Sequence, residues 1–367
     1  MNSETYTYAL ITTPGLEKAC MQELESKWCK YFKDLPYEAK ILGKGLVEVT
    51  SSSTTAILLN QILRIPTRIL LRLTSFKCRD FPKLFNKSKK LNWGNVLYSD
   101  QFEVKASSKK SKLIHTGRIE KTISDGIKFW LKGNPRKKST TQIVQKIFIR
   151  VEDDTCTVSI DTSGEALYKR QERKDLKGAS APLRETISAG IWQIVRNQLT
   201  EFDEVVDPMC GSGTILWEAI HFDQVILRGF AFEQMKLFKQ VTKLKNASEI
   251  NTEFSTLGID QNKNLKSTHE QYSETSFIYK DFFKVSGDKE KKRIFLCNPP
   301  YGERLQKGNS LRSLYHKMIE HCFVAWDATA VGILIPSTDL PKTQRNIRKY
   351  SLINGGISVT FMLMERD

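Results

Sequence analysis

The sequence lacks the cysteine and histidine patterns that hold metals or disulfide frameworks. Its seven cysteines are scattered, no two of them form a C-x-x-C pair, and none of the five histidines belongs to an H-E-x-x-H motif. A disulfide-stabilised secreted fold and a cysteine-based zinc site are therefore poor interpretations. We expect no metal cofactor.

Long hydrophobic runs are also missing. No stretch approaches the roughly 20 apolar residues that span a bilayer. The N-terminus has no basic segment followed by an apolar one, as a signal peptide would have. We therefore expect a soluble, cytoplasmic protein without a membrane partner, and 367 residues are enough for two or three domains.

Acidic residues are too few to balance the basic ones. The chain has 57 Lys and Arg against 41 Asp and Glu, for a net charge of +16. Most of the excess lies in residues 1–165, which contain 28 basic and 17 acidic residues. This balance favours a polyanionic partner, most often a nucleic acid, although a lysine-rich proteome would produce it too.

The pattern of predicted elements changes near the middle of the chain. Residues 1–165 mix strands and helices in an α+β pattern. Residues 166–182 are polar and strongly charged, so we place a linker there. In residues 183–367 strands alternate with helices, which predicts a mainly parallel sheet with helices on both faces. The sequence assigns no role to the polar stretch 223–252.

The first motif of the second half is VVDPMCGSGTILWEAI, residues 205–220. A strand ends at Asp207, Gly211 and Gly213 follow, and a helix then begins. Glycines let the backbone approach a ligand, and a helix N-terminus offers free N–H groups. Leu216 stands where the dinucleotide fingerprint needs a third glycine, so a smaller cofactor is favoured. A tight strand-to-helix turn would use the same glycines.

Two acidic residues follow the next two predicted strands. Asp260 can accept hydrogen bonds from ribose hydroxyls, and it would equally serve as the N-cap of the following helix. Asp281 precedes two phenylalanines, and a carboxylate beside an aromatic ring suits an adenine amino group and ring face. Taken alone, the motif of Asp281 and the two phenylalanines is a weak indication.

The fourth motif, FLCNPPYGER at residues 295–304, carries most of the functional interpretation. Two prolines fix the backbone after the strand, so the Asn298 amide oxygen and the Pro299 carbonyl are rigid acceptors. Two acceptors can bind both protons of a planar amino group, and Tyr301 can stack on the ring that bears it. The alternative is a structural Pro-Pro turn followed by a tyrosine.

In this order the motifs resemble those of class I S-adenosylmethionine-dependent methyltransferases of the N-P-P-Y type, which modify amino nitrogens. Residues 40–165 resemble a THUMP RNA-binding domain, most clearly in LIHTGRIEKTISDGI, residues 113–127. The whole chain is similar to the RlmL-type 23S rRNA guanine-N2 methyltransferases in a form with one methyltransferase domain. The TrmN-type tRNA enzymes share this layout. Met209 replaces the family's usual first glycine.

The resemblance implies an α/β fold with two parts. Residues 183–367 would form a class I, Rossmann-like methyltransferase domain with a mainly parallel seven-stranded sheet. An α+β ferredoxin-like and THUMP RNA-binding region in residues 1–165 would precede it. The implied cofactor is S-adenosylmethionine, the implied partner is RNA, and the oligomeric state stays open.

The resemblance also assigns roles to individual residues. The expected catalytic residues are Asn298, Pro299, Pro300 and Tyr301. The expected cofactor-binding residues are Pro182, Leu183, Asp207, Pro208, Cys210, Gly211, Ser212, Gly213, Thr214, Asp260, Gln261, Asp281, Phe282 and Asn298. The expected RNA contacts are Lys105, Lys109, Lys110, Lys112, Arg136, Lys137, Lys138 and Arg304. For any single basic residue, a solvated surface position is the alternative.

The expected reaction is methylation of the exocyclic N2 amino group of a guanine in 23S rRNA. Acceptors at Asn298 and Pro299 would polarise the N–H bonds, and the nitrogen, methyl carbon and sulfur would be held in line. The base must leave its stack, and Tyr301 would receive it. Alternatives are the same chemistry on tRNA, N6-adenine methylation of RNA, and a non-catalytic RNA-binding factor.

Overall fold

The computed structural model describes residues 5–136, 144–170, 183–245, 250, 252–301 and 309–366. The strands are β1 (Tyr6–Ile11), β2 (Tyr37–Gly43), β3 (Leu46–Ser51), β4 (Arg68–Lys77), β5 (Phe102–Lys109), β6 (Gln145–Glu152), β7 (Thr155–Asp161), β8 (Glu204–Asp207), β9 (Ser255–Ile259), β10 (Thr275–Ile278), β11 (Arg293–Cys297), β12 (Ala330–Pro336), β13 (Ile347–Asn354) and β14 (Ile357–Glu365). The helices are α1 (Glu17–Phe32), α2 (Leu59–Ile62), α3 (Phe81–Ser88), α4 (Thr116–Gly133), α5 (Glu185–Arg196), α6 (Thr214–His221), α7 (Lys266–His269) and α8 (Asn309–Ala325). None of the helices in these ranges is both long and apolar enough to cross a membrane.

The chain divides into two compact units that exchange segments. The first unit comprises Met1–Ile11, Ser26–Leu167 and Ile226–Lys245. The second comprises Thr12–Glu25, Tyr168–Val225 and Asn246–Asp367. Most of the predicted linker, residues 166–182, lies outside the described residues.

The first unit is built on a seven-stranded sheet in the order β2-β3-β1-β4-β7-β6-β5. All neighbours are antiparallel apart from β5 and β6. Asp153 and Asp154 have φ angles of 48° and 58°, which suits the short turn that joins β6 to β7. That turn places three carboxylates beside the end of β5, because Lys109 is the register partner of Glu152.

Helices α3 and α4 of the first unit pack closely together. The buried stripe of α4 consists of Ile119, Ile123 and Ile127, which recur at helical spacing. Between them, Gly126 faces Ser88 of α3, and a Cβ at this glycine would lie 1.8 Å from the Ser88 Oγ. The absence of a side chain at Gly126 therefore sets the distance between the two helices.

Residues 226–245 pack into the first unit, although they lie in the sequence of the second half. The Ile226 amide donates to the Gln61 carbonyl at 2.7 Å, and the Phe232 amide donates to the Thr162 carbonyl at 3.1 Å. The Arg228 guanidinium donates to the backbone carbonyl of Glu165 at 2.7 Å. The stretch that the sequence left without a role thus completes the core of the first unit.

The second unit contains a seven-stranded sheet in the order β10-β9-β8-β11-β12-β14-β13. Strands β8 to β12 are parallel, whereas β14 runs antiparallel to β12 and β13. Every residue of β11 and β12 is buried, as expected for strands covered on both faces. The predicted mainly parallel seven-stranded sheet is therefore confirmed.

The N-terminal part of α1 also belongs to the second unit. Leu16 packs against Gly190 of α5, where a Cβ would come within 2.5 Å of the leucine Cδ1.

Elsewhere in this unit Arg170 and Glu218 form a fully buried ion pair, with the guanidinium Nε 3.1 Å from a carboxylate oxygen. Removing either partner would break a buried ion pair, which is strongly destabilising.

Candidate active site

The carboxyl ends of four neighbouring parallel strands bring the predicted motifs together. The chain passes from β8 to β9 and β10 on one side, and then returns to β11 on the other side of β8. Asp207 is opposite Gly258, and Val206 is opposite Phe295, so all four strands end at one edge of the sheet. Ligands of open α/β sheets bind at such a reversal of strand order.

The loop after β8 has the shape of a ligand cradle. Gly211 and Gly213 have φ angles of +51° and +73°, a region that favours glycine, and Gly213 is the N-cap of α6. A Cβ at Gly211 would meet no atom within 4 Å. Open space therefore borders the backbone at the point where the sequence predicts the cofactor.

Asp260 ties this loop to the end of β9. Its Oδ2 accepts a hydrogen bond from the Gly211 amide at 2.9 Å, and its Oδ1 accepts one from the Asn262 amide at 2.8 Å. The short helical turn that follows takes Asn262 as its N-cap, so the capping role considered for Asp260 belongs to another residue. Each carboxylate oxygen retains a lone pair that can accept from a ribose hydroxyl.

His269 forms a hydrogen bond with the glycine loop, a contact that the sequence did not reveal. Its Nε2 lies 2.8 Å from the Gly211 carbonyl oxygen, and its Nδ1 lies 3.0 Å from the Tyr279 hydroxyl. The ring also stacks on Phe277 with centroids 3.8 Å apart. Burial lowers the pKa of His269, so the neutral ring donates through Nε2 and accepts through Nδ1. These residues meet only in the folded chain, so no spacing of residues indicates the contacts.

Asp207 is buried at the end of β8, at the base of the same loop. Its Oδ1 accepts a hydrogen bond from the Met209 amide at 3.2 Å. Burial raises the pKa of Asp207 to about 8, and the nearby Asp260 adds to the shift. In the folded protein this carboxyl group is therefore largely protonated at neutral pH.

The N-P-P-Y segment follows β11 and presents an unsatisfied acceptor. The Asn298 Oδ1 is buried and has no hydrogen-bond partner among the residues that the structure describes. The Tyr301 hydroxyl accepts from the Asn354 amide nitrogen at 3.0 Å, which fixes the position of the ring. A buried polar atom without a partner costs about 1–3 kcal/mol, so Asn298 is suited to a donor supplied by a ligand.

The two residues predicted on the adenine side, Asp281 and Phe282, lie in different environments. Asp281 lies after β10, and its Oδ1 accepts from the Phe283 amide at 3.1 Å. Phe282 is buried in the core against Phe295 and Trp326. Its predicted contact with the cofactor stays a prediction.

The remaining predicted cofactor residues lie in or beside the same loops. Leu183 is buried just before α5, and Gln261 is exposed after β9. Pro208, Cys210 and Ser212 share the loop of the glycines, and Thr214 is the first residue of α6. Pro182 lies outside the described residues. In the described part of the chain, no group of three or more His, Cys, Asp or Glu side chains is placed to hold a metal ion.

Five of the predicted RNA contacts lie in the described residues, and three of these side chains have a partner within the protein. Lys105 pairs with Glu103 at 2.7 Å, and Lys109 lies 4.0 Å from Glu152. Arg136 donates to the Gly94 carbonyl at 2.8 Å. Lys110 and Lys112 are exposed, whereas Lys137, Lys138 and Arg304 lie outside the described residues. The RNA contacts of all eight residues stay predictions.

Comparison with protein families matches both parts of the chain. The family model described as UPF0020, RMKL-like, methyltransferase domain, matches residues 170–361, which is more than half of the chain. A THUMP domain model matches residues 78–161. This range is narrower than the 40–165 expected from the resemblance.

Individual relatives agree with these matches. The putative RNA methyltransferase YpsC of Bacillus subtilis is 28% identical over 96% of this chain and 95% of its own length. The ribosomal RNA large subunit methyltransferase K/L of Desulfotalea psychrophila is 28% identical over 97% of this chain and 52% of its own length, so the chain spans about half of that protein.

A solved structure supports the fold. SMU.472, a putative methyltransferase complexed with SAH, superposes with a TM-score of 0.78 over 99% of both chains at 24% identity. The two proteins therefore share a fold over 99% of this chain. The chain belongs to the UPF0020 family of RMKL-like methyltransferase domains, and it carries a THUMP domain ahead of that domain.

Proposed function

We propose that this protein transfers a methyl group from S-adenosylmethionine to the exocyclic N2 amino group of a guanine in large-subunit ribosomal RNA. The observation that carries the proposal is the buried Asn298 Oδ1, which has no partner in the described part of the chain. An exocyclic amino group supplies the N–H donor that this acceptor requires. Family membership makes the reaction a methyl transfer.

S-adenosylmethionine is the cofactor of this family, and it supplies an electrophilic methyl group on a sulfonium sulfur. The open space beside Gly211 fits a ligand that lies against the loop backbone. Asp260 would accept from the ribose, and Asp281 would bind on the adenine side. The related SMU.472 structure was solved with SAH, the product of methyl transfer.

The residues of this chain position the acceptor base. Asn298 would accept one proton of the amino group, and the rigid carbonyl of Pro299 would accept the other. These contacts polarise the N–H bonds and orient the nitrogen lone pair towards the methyl carbon. Tyr301, whose hydroxyl is held by Asn354, offers an aromatic ring on which the extruded base can stack.

RNA is the proposed substrate because of the THUMP match and the basic first half of the chain. Ribosomal RNA is favoured over tRNA because the K/L relative is named for the large ribosomal subunit. This chain covers 52% of the K/L relative, and the part that it does not match contributes nothing to this proposal.

The decisive experiment is methyl transfer to purified RNA followed by nucleoside mass spectrometry. The full chain is incubated with isotopically labelled S-adenosylmethionine and with total RNA from cells that lack the gene. We expect labelled N2-methylguanosine in the large-subunit rRNA. Label in N6-methyladenosine or in tRNA would replace this proposal by one of its alternatives, and no label in any RNA would reject it.

The Asn298→Ala variant tests the residue on which the proposal depends. Loss of one preorganised hydrogen-bonding group in an active site typically slows the chemical step about 10²–10³-fold. We therefore expect single-turnover methyl transfer to fall by about that factor. Near-normal turnover by this variant would contradict the assigned role.

A further inference from the structure

We propose that helices α3 and α4 form the main RNA-contacting surface of the first unit, and that they bind an unpaired RNA segment. The proposal rests on the proposed function, which makes RNA the substrate. We call this region the helix-pair surface, and its members are Lys83, Lys87, Lys89, Lys90, Arg118, Lys121, Lys128, Phe129 and Lys132. All of them lie within the match to the THUMP domain.

The charge of the helix-pair surface is almost entirely positive. Residues 81–99 contain four lysines and no acidic residue. On α4, four basic residues recur at helical spacing on the exposed side, and Asp125 is the one carboxylate among them. The other acidic residue of α4, Glu120, instead accepts a hydrogen bond from the Ala106 amide at 2.8 Å.

The basic side chains of this surface also form no ion pairs with other residues that the structure describes. Across the described ranges, no carboxylate lies within 4.0 Å of any of the eight basic groups. Their charge is therefore available to phosphates, which bind proteins mainly through such unneutralised cations.

An exposed aromatic ring lies among these cations. Phe129 is 55% exposed, although it is a large apolar side chain on a helix. The Lys89 Nζ lies 5.3 Å from the centroid of this ring and 5.3 Å from that of Phe85. Unpaired bases stack on such rings while neighbouring cations contact the backbone, whereas duplex RNA buries its base faces. The geometry thus favours an unpaired segment.

The lysines that the sequence singles out on β5 and just after it have a different environment. Lys105 pairs with Glu103 at 2.7 Å. The parallel pairing of β5 with β6 places Lys109 opposite Glu152, and the Lys112 amide donates to the Asp154 carboxylate at 2.7 Å. Glu103, a neighbour in sequence, and the carboxylates that the pairing of β5 with β6 brings close therefore offset the charge of this group of lysines.

Two triple variants that remove the same charge distinguish the surfaces. One carries Lys87→Gln, Lys90→Gln and Lys128→Gln, and the other carries Lys105→Gln, Lys109→Gln and Lys112→Gln. The probe is a fluorescein-labelled RNA hairpin with a single-stranded tail of about 8 nucleotides. Each contact with a single-strand phosphate contributes about 0.7 to the magnitude of the slope of log K against log salt. We therefore expect the magnitude of this slope to fall by about 2 in the helix variant and by less than about 0.5 in the strand variant. An equal or larger loss in the strand variant would overturn the proposal.

Phe129→Ser tests stacking separately from charge. Loss of one stacked base typically weakens binding about tenfold, so the affinity for the tailed hairpin should fall by about that factor. The affinity for a blunt hairpin should stay unchanged. Ile114→Ser is the matched control, because Ile114 is a 65% exposed apolar residue outside this surface. Equal effects of both variants on both probes would contradict stacking on Phe129.

These measurements distinguish a failure of this inference from a failure of the proposed function. All variants should keep the wild-type melting temperature and affinity for S-adenosylmethionine, because they change exposed side chains of the first unit. If the wild-type protein methylates RNA but the helix variant keeps the wild-type salt slope, the inference is wrong and the function stands. If the wild-type protein neither binds nor methylates RNA, both are wrong.

Discussion

At the scale of single residues, the glycine loop depends on an absent side chain. The φ angle of Gly211 is unfavourable for other residues, and its missing Cβ leaves the open space beside the loop. A methyl group there would occupy part of the space assigned to the cofactor. The loop therefore has both a conformational and a steric reason to keep glycine at this position.

We predict that Gly211→Ala weakens S-adenosylmethionine binding at least tenfold, as measured by calorimetry. The left-handed backbone alone costs an alanine about 1–2 kcal/mol of folding stability. Gly356→Ala is the matched control, because Gly356 has a φ angle of +87° and no atom within 4 Å of a built Cβ. It should lose similar stability and keep its cofactor affinity. Equal losses of affinity in both variants would show that strain, not occupied space, is responsible.

A second prediction at this scale concerns Asp207 and pH. Its pKa is about 8 in the folded protein against an ordinary value of 3.8. Between these values the folded state holds a proton that the unfolded chain releases, so the stability of the folded state falls as pH rises. Asp207→Asn cannot titrate and lacks this contribution. His269 contributes in the opposite direction, but it does so in both proteins and cancels in their difference.

Urea unfolding without cofactor measures this difference. From about pH 5.5 to about pH 8, the free energy of unfolding of the wild type should decrease relative to that of Asp207→Asn, and it should level off above. A wild type that instead gains stability over the variant with rising pH would contradict a buried, protonated Asp207.

The sequence placed the loops at the strand ends better than it placed the residues that support them. The glycine loop and Asn298 belong to short contiguous motifs, and each was expected to follow a strand directly, where the structure places it. His269 could not be found in this way, because it reaches the Gly211 carbonyl only after β9 and β10 have paired. The Glu152 carboxylate beside Lys109 was equally invisible to a count of charges along the chain, because the two residues meet only when β5 pairs with β6.

At the scale of secondary-structure elements, the packing of α3 on α4 depends on Gly126. We predict that Gly126→Ala lowers the free energy of unfolding by about 1–3 kcal/mol, because the new methyl group would overlap Ser88. In the same helix Gly117 has no atom within 4 Å of a built Cβ. Gly117→Ala should therefore raise stability by up to about 1 kcal/mol through helix propensity. Chemical denaturation measures both, and a neutral Gly126→Ala would contradict the close approach.

The strands of both sheets were predictable because their apolar residues occur in short runs or alternate along the chain. The mainly parallel character of the second sheet followed from the alternation of strands and helices, whereas its strand order did not. Segment 226–245 was not predictable, since its apolar and polar residues alternate without a regular period. Only the folded chain shows that Phe230, Phe232 and Phe238 are buried in the first unit.

At the scale of the whole molecule, the exchange of segments makes the two units depend on each other. A fragment of residues 1–165 would lack 226–245 and would expose the surface that this segment buries. We predict that it aggregates or shows no cooperative unfolding transition by circular dichroism. The same fragment mixed with a synthetic peptide of residues 226–245 is the control, and it should regain part of the transition. A cooperatively folded fragment 1–165 would contradict this dependence.

The same connectivity constrains the order of events during protein synthesis. Chains fold progressively as they leave the ribosome, and an early domain usually completes its fold first. Here the first unit cannot be completed until Lys245 has emerged, by which time β8 and α6 are already outside the exit tunnel. The nascent N-terminal half must therefore remain partly exposed for the time needed to translate about 80 further residues, and during that interval it depends on chaperones or on its own positive charge to avoid aggregation.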